Sequence, residues 1–203
     1  MSIDIKFSKR PIPYKKAMEI LDKRVEEIKN DKNNELMWIL EHPLTFTAGI
    51  SFNNKEIIDK QIKITKTNRG GKITLHNPGQ KIIYFVLNLN KRKKDIKNLI
   101  KHIEFSIIEF LKLYKIKSHA DKKNTGIWVM DKKIAAIGVR VSNWIAYHGF
   151  SINITNDLKY YKKIIPCGLN NRKITSVKIE SKIKILNVES KLREIFLKNL
   201  KNI

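Results

Sequence analysis

Apolar residues recur at intervals of three and four positions in three parts of the chain, which is the spacing of an amphipathic helix. Residues 14–29 follow two prolines and show this pattern, with charged residues on the opposite face. Residues 96–111 repeat it over a longer stretch and predict a helix that starts near Asp95. A third helix is predicted around Leu192, close to the C-terminus.

Apolar and alternating runs between these helices predict strands. The run from Ile82 to Leu87 is almost wholly apolar, so both of its faces are expected to be covered. Two further segments are expected to form a hairpin that turns at Asp131 and Lys132. The predicted strands cover residues 36–40, 62–67, 82–89, 126–130, 133–141 and 150–154.

The order of these elements indicates the fold class. Helix, strands, helix, strands and helix, with several hairpin-length connections, are typical of an α+β domain with a mixed sheet rather than of regular βαβ winding. No repeat, low-complexity linker or shift in composition divides the 203 residues. One domain over residues 1–203 is therefore expected.

The chain is strongly basic, with 42 lysines and arginines against 19 acidic residues and a formal charge of +23. Such a charge attracts nucleic acids and other polyanions. The lysines are spread over the whole length, however, and no basic stretch has the interleaved aromatic residues of a single-strand binder. An acidic protein partner is favoured over nucleic acid, and a coding bias toward Lys, Ile and Asn is an alternative source of the charge.

The first residues after Met1 lack the apolar run of a signal peptide. No later run approaches the roughly 20 apolar residues of a membrane span. A single cysteine excludes an internal disulfide framework. These features predict a soluble cytoplasmic protein that does not bind a membrane.

That cysteine, Cys167, lies between Pro166 and Gly168, a context typical of a turn that displays the residue between them. A displayed cysteine is a candidate nucleophile if a neighbouring group accepts its proton or stabilises the thiolate. The alternative is a small buried apolar residue, since free cysteine is among the most buried residue types.

Strand parity singles out Lys133 among the lysines. Side chains alternate between the faces of a strand, so Lys133 is expected to follow an apolar row inward while Lys132 lies on the other face. A lysine partly removed from water can serve as a general acid or base, and its charged form stabilises a nearby thiolate. The alternative is a turn lysine that extends to solvent. The expected row is Ala135, Ile137, Val139 and Val141, and Ile134, Ala136 and Arg140 are expected beside Lys132.

Glycines and polar residues concentrate in residues 69–80. Gly70 and Gly71 allow positive φ and close approach of a ligand, and Pro78-Gly79 is a turn signal. The stretch matches neither the phosphate-binding loop nor the dinucleotide fingerprint. A ligand-binding loop and an ordinary surface turn both remain open.

Three histidines, His42, His76 and His148, are candidate zinc ligands by residue type. They are widely separated in the sequence and have no closely spaced partner ligands, so no metal site is expected. Each is instead expected to form hydrogen bonds or to line a pocket.

Four stretches stand out when taken in order: His42-Pro43 through Gly49, Arg69 through Gln80, Lys133 through Arg140, and His148 through Asn153 followed by Pro166-Cys167-Gly168. Together they resemble the lipoyl(octanoyl) transferase family, whose members move an octanoyl group from acyl carrier protein to other proteins. Two departures from the family pattern occur at Leu75, where an aromatic residue is common, and at Asn77, where glycine is usual. Because asparagine tolerates positive φ, the turn at Asn77 can survive.

The resemblance implies the fold of the biotin and lipoate protein ligases, a mixed sheet flanked by helices. It also implies that Cys167 is the acyl-thioester nucleophile and that Lys133 is the lysine that lowers the pKa of this cysteine. The implied substrate-binding residues are Arg69, Gly70, Gly71, Lys72, Ile73, Thr74, Leu75 and His76, then Ala136, Ile137 and Gly138, then Gly149, Phe150 and Ser151.

The implied reaction transfers octanoate from octanoyl-acyl carrier protein to Cys167 and then to one lysine of a lipoyl domain. Such domains occur in the E2 subunits of 2-oxoacid dehydrogenases and in the glycine cleavage H protein. No cofactor or metal is expected, because the thioester is already activated. An ATP-dependent lipoate or biotin ligase on the same fold is the main alternative, and it would not need a cysteine nucleophile.

Overall fold

The computed structural model describes residues 2–121, 124–166 and 173–203, so Cys167 lies outside the described residues. Within these ranges the chain forms ten strands and four α-helices. The strands are β1 (Ile3–Phe7), β2 (Glu35–Leu40), β3 (Thr45–Ala48), β4 (Ile64–Lys66), β5 (Ile73–His76), β6 (Gln80–Asn88), β7 (His119–Ala120), β8 (Ile127–Val129), β9 (Lys132–Ser142) and β10 (Ile145–Asn153). The helices are α1 (Tyr14–Lys29), α2 (Ile96–Lys112), α3 (Val177–Glu180) and α4 (Val188–Leu200).

Seven of the described strands form one mixed sheet in the order β1-β2-β6-β10-β9-β8-β7. Only β1 and β2 run parallel among these described neighbours, and the other pairs are antiparallel. The central strands β6 and β10 are buried along almost their whole length. The prediction that the run from Ile82 to Leu87 is covered on both faces is therefore confirmed.

Helices cover both faces of this sheet. On one face α1 buries Ala17 and Leu21 against Trp38 and Tyr84. On the other face α2 and α4 pack against β6, with aromatic contact between Phe85 and the α4 ring of Phe196. Each fully buried Leu, Ile or Phe side chain contributes about 1.5–3 kcal/mol. Within the described ranges, no helix combines the length and the hydropathy of a membrane-spanning segment.

A smaller sheet stands beside the large one, with the described strands in the order β4-β3-β5. β3 is parallel to β4 and antiparallel to β5. Its apolar core contains Phe46, Ile73 and Leu75, joined by Tyr161 and Ile164 from the segment that leads toward Cys167. The small sheet thus packs directly against this segment.

The three predicted helices are confirmed, and Asp95 caps α2 by accepting a hydrogen bond from Asn98 N at 2.9 Å. The strand predictions were less accurate. The predicted strand over residues 62–67 is reduced to β4, and the stretch over residues 69–80 contains β5. The predicted strand over residues 150–154 corresponds to the end of the longer β10, which stops at Asn153. Strands β1, β3 and β7 were missed, because five or fewer residues give too little alternation to read.

The predicted hairpin is confirmed as β8 and β9, but its register overturns the predicted face of Lys133. Trp128 lies opposite Lys133 whereas Ile127 lies opposite Ala135, so a β-bulge leaves Ile134 as an additional residue. Successive residues Ile127 and Trp128 point to opposite faces, and their partners must do the same. Ala135 consequently faces the core and Lys133 faces away from it.

The expected apolar row beside Lys133 was therefore wrong. Ala135 and Ile134 belong to the core under α2 and α4, and Ile137, Val139 and Val141 pack against it. Lys133 instead shares its face with Ala136 and Gly138, which were expected on other rows. An extra residue in one strand shifts every later side chain to the other face.

Candidate active site

A cavity of about 500 Å³ opens between the small sheet and strands β9 and β10. Three parts of the chain supply most of the described lining residues: the segment from the turn before β5 into β5, the first half of β9 and the second half of β10. These are the three stretches predicted to bind substrate. The predicted residues that line the cavity are 69–72, 74, 76, 133, 136–138 and 149–151.

Ile73 and Leu75 are the exceptions among the predicted binding residues. Both are fully buried on the opposite face of β5, in the core of the small sheet with Phe46. Alternation along the strand explains the difference, because Thr74 and His76 then point into the cavity. Ile73 and Leu75 support the site by packing and do not line it.

The turn over residues 69–72 is held against residues 49–51 by backbone hydrogen bonds. Ile50 N donates to Arg69 O, and Ser51 N donates to Gly71 O, both at 3.1 Å. Gly71 has a φ of +86°, which favours glycine, and a Cβ on Gly49 would lie 2.3 Å from Gly71 O. The close approach of these two backbones fixes one wall of the cavity.

Arg69 brings a largely buried positive charge to this wall. Its guanidinium donates to Thr47 O at 2.8 Å, to Thr47 Oγ1 at 2.9 Å and to Gly70 O at 2.9 Å. The side chain therefore ties the turn to β3. Its charge also lowers the pKa of His76 and His148 in addition to the effect of burial.

Lys72 extends from the same turn toward Glu56, whose carboxylate is buried and lies 3.2 Å from the Lys72 ammonium group. The other carboxylate oxygen of Glu56 accepts from Ile73 N at 3.3 Å. Glu56 also binds the segment before Cys167, since Ile165 N donates to Glu56 O at 2.7 Å. One residue thus connects the cavity wall to the approach of the cysteine segment.

Lys133 lies on the opposite wall and only 4% of it is exposed. Its ammonium group donates to Thr125 O at 2.9 Å and stands 5.5 Å from the centre of the Trp128 ring. Together with Arg69 and Lys72 on the facing wall, it gives the cavity three cationic lining residues, and the described residues that line the cavity include no carboxylate. Such a site favours an anion or a developing negative charge.

The main chain of Lys133 is bound by the segment that follows Cys167. Lys133 N donates to Lys173 O at 2.8 Å, and Thr175 N donates to Lys133 O at 2.9 Å. On the other side of the cysteine, Pro166 lines a small neighbouring cavity together with Lys133, Thr74 and Ser151. The two described residues nearest Cys167 in the sequence, Pro166 and Lys173, therefore both lie beside Lys133.

Two buried histidines, His76 and His148, line the cavity, and the ring of a third, His42, lies against His76. Burial keeps all three neutral at pH 7. His42 has a pKa of about 4, His76 of about 3 and His148 of about 4, in each case chiefly because burial disfavours the charged ring. The prediction that they form hydrogen bonds or line a pocket is confirmed. His42 donates to Ile12 O at 2.6 Å, His76 to Gln80 Oε1 at 2.7 Å and His148 to Asn68 Oδ1 at 2.7 Å.

Sequence reasoning missed the contact between these histidines and two tyrosines. The Tyr84 hydroxyl donates to His42 Nε2 at 2.9 Å, and its ring contacts His148. Tyr14 contacts both His42 and His76. Burial raises the pKa of both tyrosines, that of Tyr84 strongly. Tyr84 is the one residue with a hydroxyl in the apolar run from Ile82 to Leu87, which was the available signal.

Thr125 and Asn124 were also missed as cavity residues. They belong to the turn before β8, and their spacing from Lys133 in the sequence gives no indication that they contact it. No three His, Asp or Glu side chains among the described residues come together so as to hold a metal ion.

Comparison with known proteins agrees with this geometry. Residues 13–197 match the family model described as the lipoyl protein ligase A/B catalytic domain. An octanoyltransferase of Wolbachia sp. subsp. Brugia malayi (strain TRS) is 42% identical over 193 residues, which cover 92% of this chain and 94% of that protein.

Solved structures show the same fold at low sequence identity. A crystal structure of lipoate-protein ligase A bound with ATP has a TM-score of 0.76 at 13% identity, covering 97% of this chain and 85% of that one. Biotin protein ligase from Aquifex aeolicus in complex with biotin and ATP has a TM-score of 0.55 at 16% identity. The match covers 98% of this chain and 70% of the ligase chain. The predicted α+β fold of the biotin and lipoate ligases is confirmed. The chain belongs to the lipoyl protein ligase A/B catalytic-domain family and, within that family, to the octanoyltransferases.

Proposed function

We propose that this chain moves an octanoyl group from octanoyl-acyl carrier protein to a specific lysine of lipoyl domains, through a thioester on Cys167. The observation that carries the proposal is the position of Lys133. It is buried at a cationic cavity, and its main chain is bonded to the segment that follows Cys167. The name shared by the curated relatives supports the same activity.

In the first step the Cys167 thiol gives its proton to the Lys133 amine, and the thiolate attacks the thioester carbonyl of the donor. A carbon–sulfur bond forms to Cys167 and the bond to the pantetheine sulfur breaks. The Lys133 ammonium group then protonates the departing sulfur. The cationic residues Arg69 and Lys72 favour the oxyanion that develops on the carbonyl.

In the second step the neutral amine of the acceptor lysine attacks the acyl-enzyme. An amide bond forms, the bond to Cys167 breaks and the Lys133 amine takes the proton that the nitrogen loses. The second step thus restores the Cys167 thiolate and the Lys133 ammonium group. Neither step requires ATP or a metal ion, since the donor thioester is already activated.

The donor is an acidic carrier protein, and the acceptor is a lipoyl domain of a 2-oxoacid dehydrogenase E2 subunit or of the glycine cleavage H protein. One domain over residues 1–203 carries the activity in the cytoplasm. The formal charge of +23 supports fast encounter with acidic partners, because opposite charges steer association.

Intact-protein mass spectrometry tests the proposal most directly. The enzyme is mixed with octanoyl-acyl carrier protein alone, beside the variants Cys167→Ser and Lys133→Ala. Wild type should gain one octanoyl group that hydroxylamine removes. Cys167→Ser should gain no octanoyl group that hydroxylamine removes. Lys133→Ala should gain the hydroxylamine-labile octanoyl group about 100-fold more slowly than wild type.

Lys132→Ala is the matched control, since Lys132 is the neighbouring residue of β9 and pairs with Glu180 away from the cavity. It should acylate at close to the wild-type rate. Formation of octanoyl-AMP from octanoate and ATP, with no protein adduct from the carrier protein, would overturn the proposal in favour of an ATP-dependent ligase.

A further inference from the structure

The ammonium group of Lys133 is held between a backbone carbonyl and an aromatic ring, although lysine side chains are flexible. Its stem has four carbons, and free rotation would spread the charged group over many positions. Here Nζ donates to Thr125 O at 2.9 Å and lies 5.5 Å from the centre of the Trp128 ring, within the range of a cation–π interaction. Two neighbours, one on β8 and one in the turn before it, therefore restrain the position of the charge.

Trp128 also holds the turn that supplies the carbonyl. Its indole Nε1 donates to Asn124 O at 3.1 Å, and Asn124 is bonded in turn to Asp121. Asn124 and Thr125 are consecutive, so the position of the Thr125 carbonyl depends on the indole. Trp128 itself is fully buried and is not among the described residues that line the cavity.

Gly126 leaves the space that the lysine stem occupies. A Cβ at this position would lie 2.5 Å from Lys133 Cε and 2.6 Å from Ala135 O, and the φ of Gly126 is +137°. Any other residue would displace the lysine side chain or the strand. The Lys133 side chain is thus bordered by Thr125 O, by the Trp128 ring and by Gly126.

The β-bulge between β8 and β9 completes the arrangement. It brings Trp128 directly opposite Lys133 and turns Lys133 toward the cavity, whereas regular alternation would place it on the face of Ala135. Bulges that re-aim a side chain are frequent next to active sites.

We propose that Trp128 is a positioning residue for Lys133, which it aims at the cavity through its ring and through the turn containing Asn124 and Thr125. This inference rests on the proposed acyl transfer and deepens it. Trp128 is not among the described residues that line the cavity, so its effect on the reaction is exerted through the lysine. Displacing a catalytic group by about 1 Å can cost on the order of 100-fold in rate.

The test measures the single-turnover rate of thioester formation on Cys167 as a function of donor concentration. Trp128→Leu should lower the maximal rate about 10- to 100-fold and leave the half-saturating donor concentration unchanged. Trp128→Phe keeps an aromatic face, so its maximal rate should fall only a few-fold. In a Lys133→Ala background, Trp128→Leu should cause no further loss, since both changes remove the same interaction.

Trp38→Leu is a matched control. Trp38 is also fully buried, donates from Nε1 to Ser8 Oγ at 2.9 Å and has Lys6 4.3 Å from its ring centre, but it does not line the cavity. It should lose a similar amount of stability while keeping the maximal rate within about two-fold of wild type.

A second readout does not depend on activity. The rate at which an N-hydroxysuccinimide acetate reagent modifies Lys133 is followed by peptide mass spectrometry. Trp128→Leu should raise this rate at Lys133 at least about five-fold, and Trp38→Leu should not, since a released side chain is more accessible.

The possible outcomes separate the inference from the proposed function. If Lys133→Ala acylates as fast as wild type, the proposed role of Lys133 is wrong. If Lys133→Ala is slow while Trp128→Leu behaves like Trp38→Leu in both rate and labelling, the positioning role of Trp128 is wrong. Should Trp128→Leu not fold, Trp128→Phe decides: wild-type rate and wild-type labelling of Lys133 would overturn the inference.

Discussion

The three buried histidines should make the protein lose stability steeply on mild acidification. In the folded chain His42, His76 and His148 have pKa values of about 4, about 3 and about 4, because burial disfavours the imidazolium form. In the unfolded chain the pKa of each is near 6.5. Between pH 6.5 and pH 4 the unfolded state therefore binds more protons, so stability rises with pH and falls as acid is added.

The size of the effect follows from these values. Integrated from pH 7 to pH 5, each histidine costs about 2 kcal/mol, and the three together cost about 6 kcal/mol. A domain of this kind has about 5–15 kcal/mol of total stability. Carboxylates whose pKa is lowered by ion pairs, such as Glu189 with Lys81, lose their contribution mainly below pH 5. The interval from pH 7 to pH 5 therefore reports chiefly on the histidines.

Urea denaturation followed by circular dichroism at pH 7, 6 and 5 measures the free energy of unfolding. Wild type should lose most of its stability over this interval. His42→Gln should start from a lower stability at pH 7 but lose about 2 kcal/mol less over the interval than wild type. His119→Gln, at an exposed position, should show the wild-type dependence.

All other ionisable groups are shared by wild type and variant, so the difference between their pH profiles isolates the removed histidine. A free energy of unfolding that is the same at pH 7 and pH 5 would refute the reasoning. The same pH profile in His42→Gln and wild type would show that His42 is not the buried neutral base described here.

Three further predictions concern the cavity, a buried ion pair and the charge. If the acyl chain binds in the cavity, Gly138→Leu should shift the preferred donor to chains shorter than octanoyl by filling that space. The measurement is kcat/KM over a series of donors, and an unchanged preference would contradict acyl binding there. Glu35→Gln should lower the free energy of unfolding by about 3–5 kcal/mol, because Arg92 would keep a buried charge, and a loss below 1 kcal/mol in urea denaturation would contradict this. The kcat/KM for the carrier protein should fall at least about ten-fold between low salt and 0.5 M salt, and salt-insensitive rates would leave coding bias as the better account of the charge.

The local sequence was sufficient to predict the helices. The apolar spacing over residues 14–29 and the cap at Asp95 act within one or two turns, so they can be read without knowing what the helix packs against. Strands are different, because their stability depends on partners elsewhere in the chain. The short strands β1 and β3 are recognisable only from their pairing with β2 and β5.

The residue types of the site could also be anticipated, but their arrangement could not. Arg69, Lys133 and Ser151 were selected from separate stretches, and the structure brings their side chains to one cavity. The aromatic contacts of Tyr84 and Tyr14 with the histidines had no comparable signal. They arise where α1, β5 and β6 meet, and such contacts between distant segments are not encoded in local periodicity.

Residue type and short-range spacing were enough to predict the three main helices, the buried central strand and the candidate nucleophile Cys167. Lys133 was selected by a strand-parity argument that the observed register overturns, and by its place in the family pattern. The direction in which Lys133 faces depends on strand pairing and could not be read from local sequence. Regular alternation predicted one face, and the bulge opposite Ile127 and Trp128 selected the other. A bulge is a property of two paired strands, so its position depends on how β8 and β9 pack between the core and the cavity.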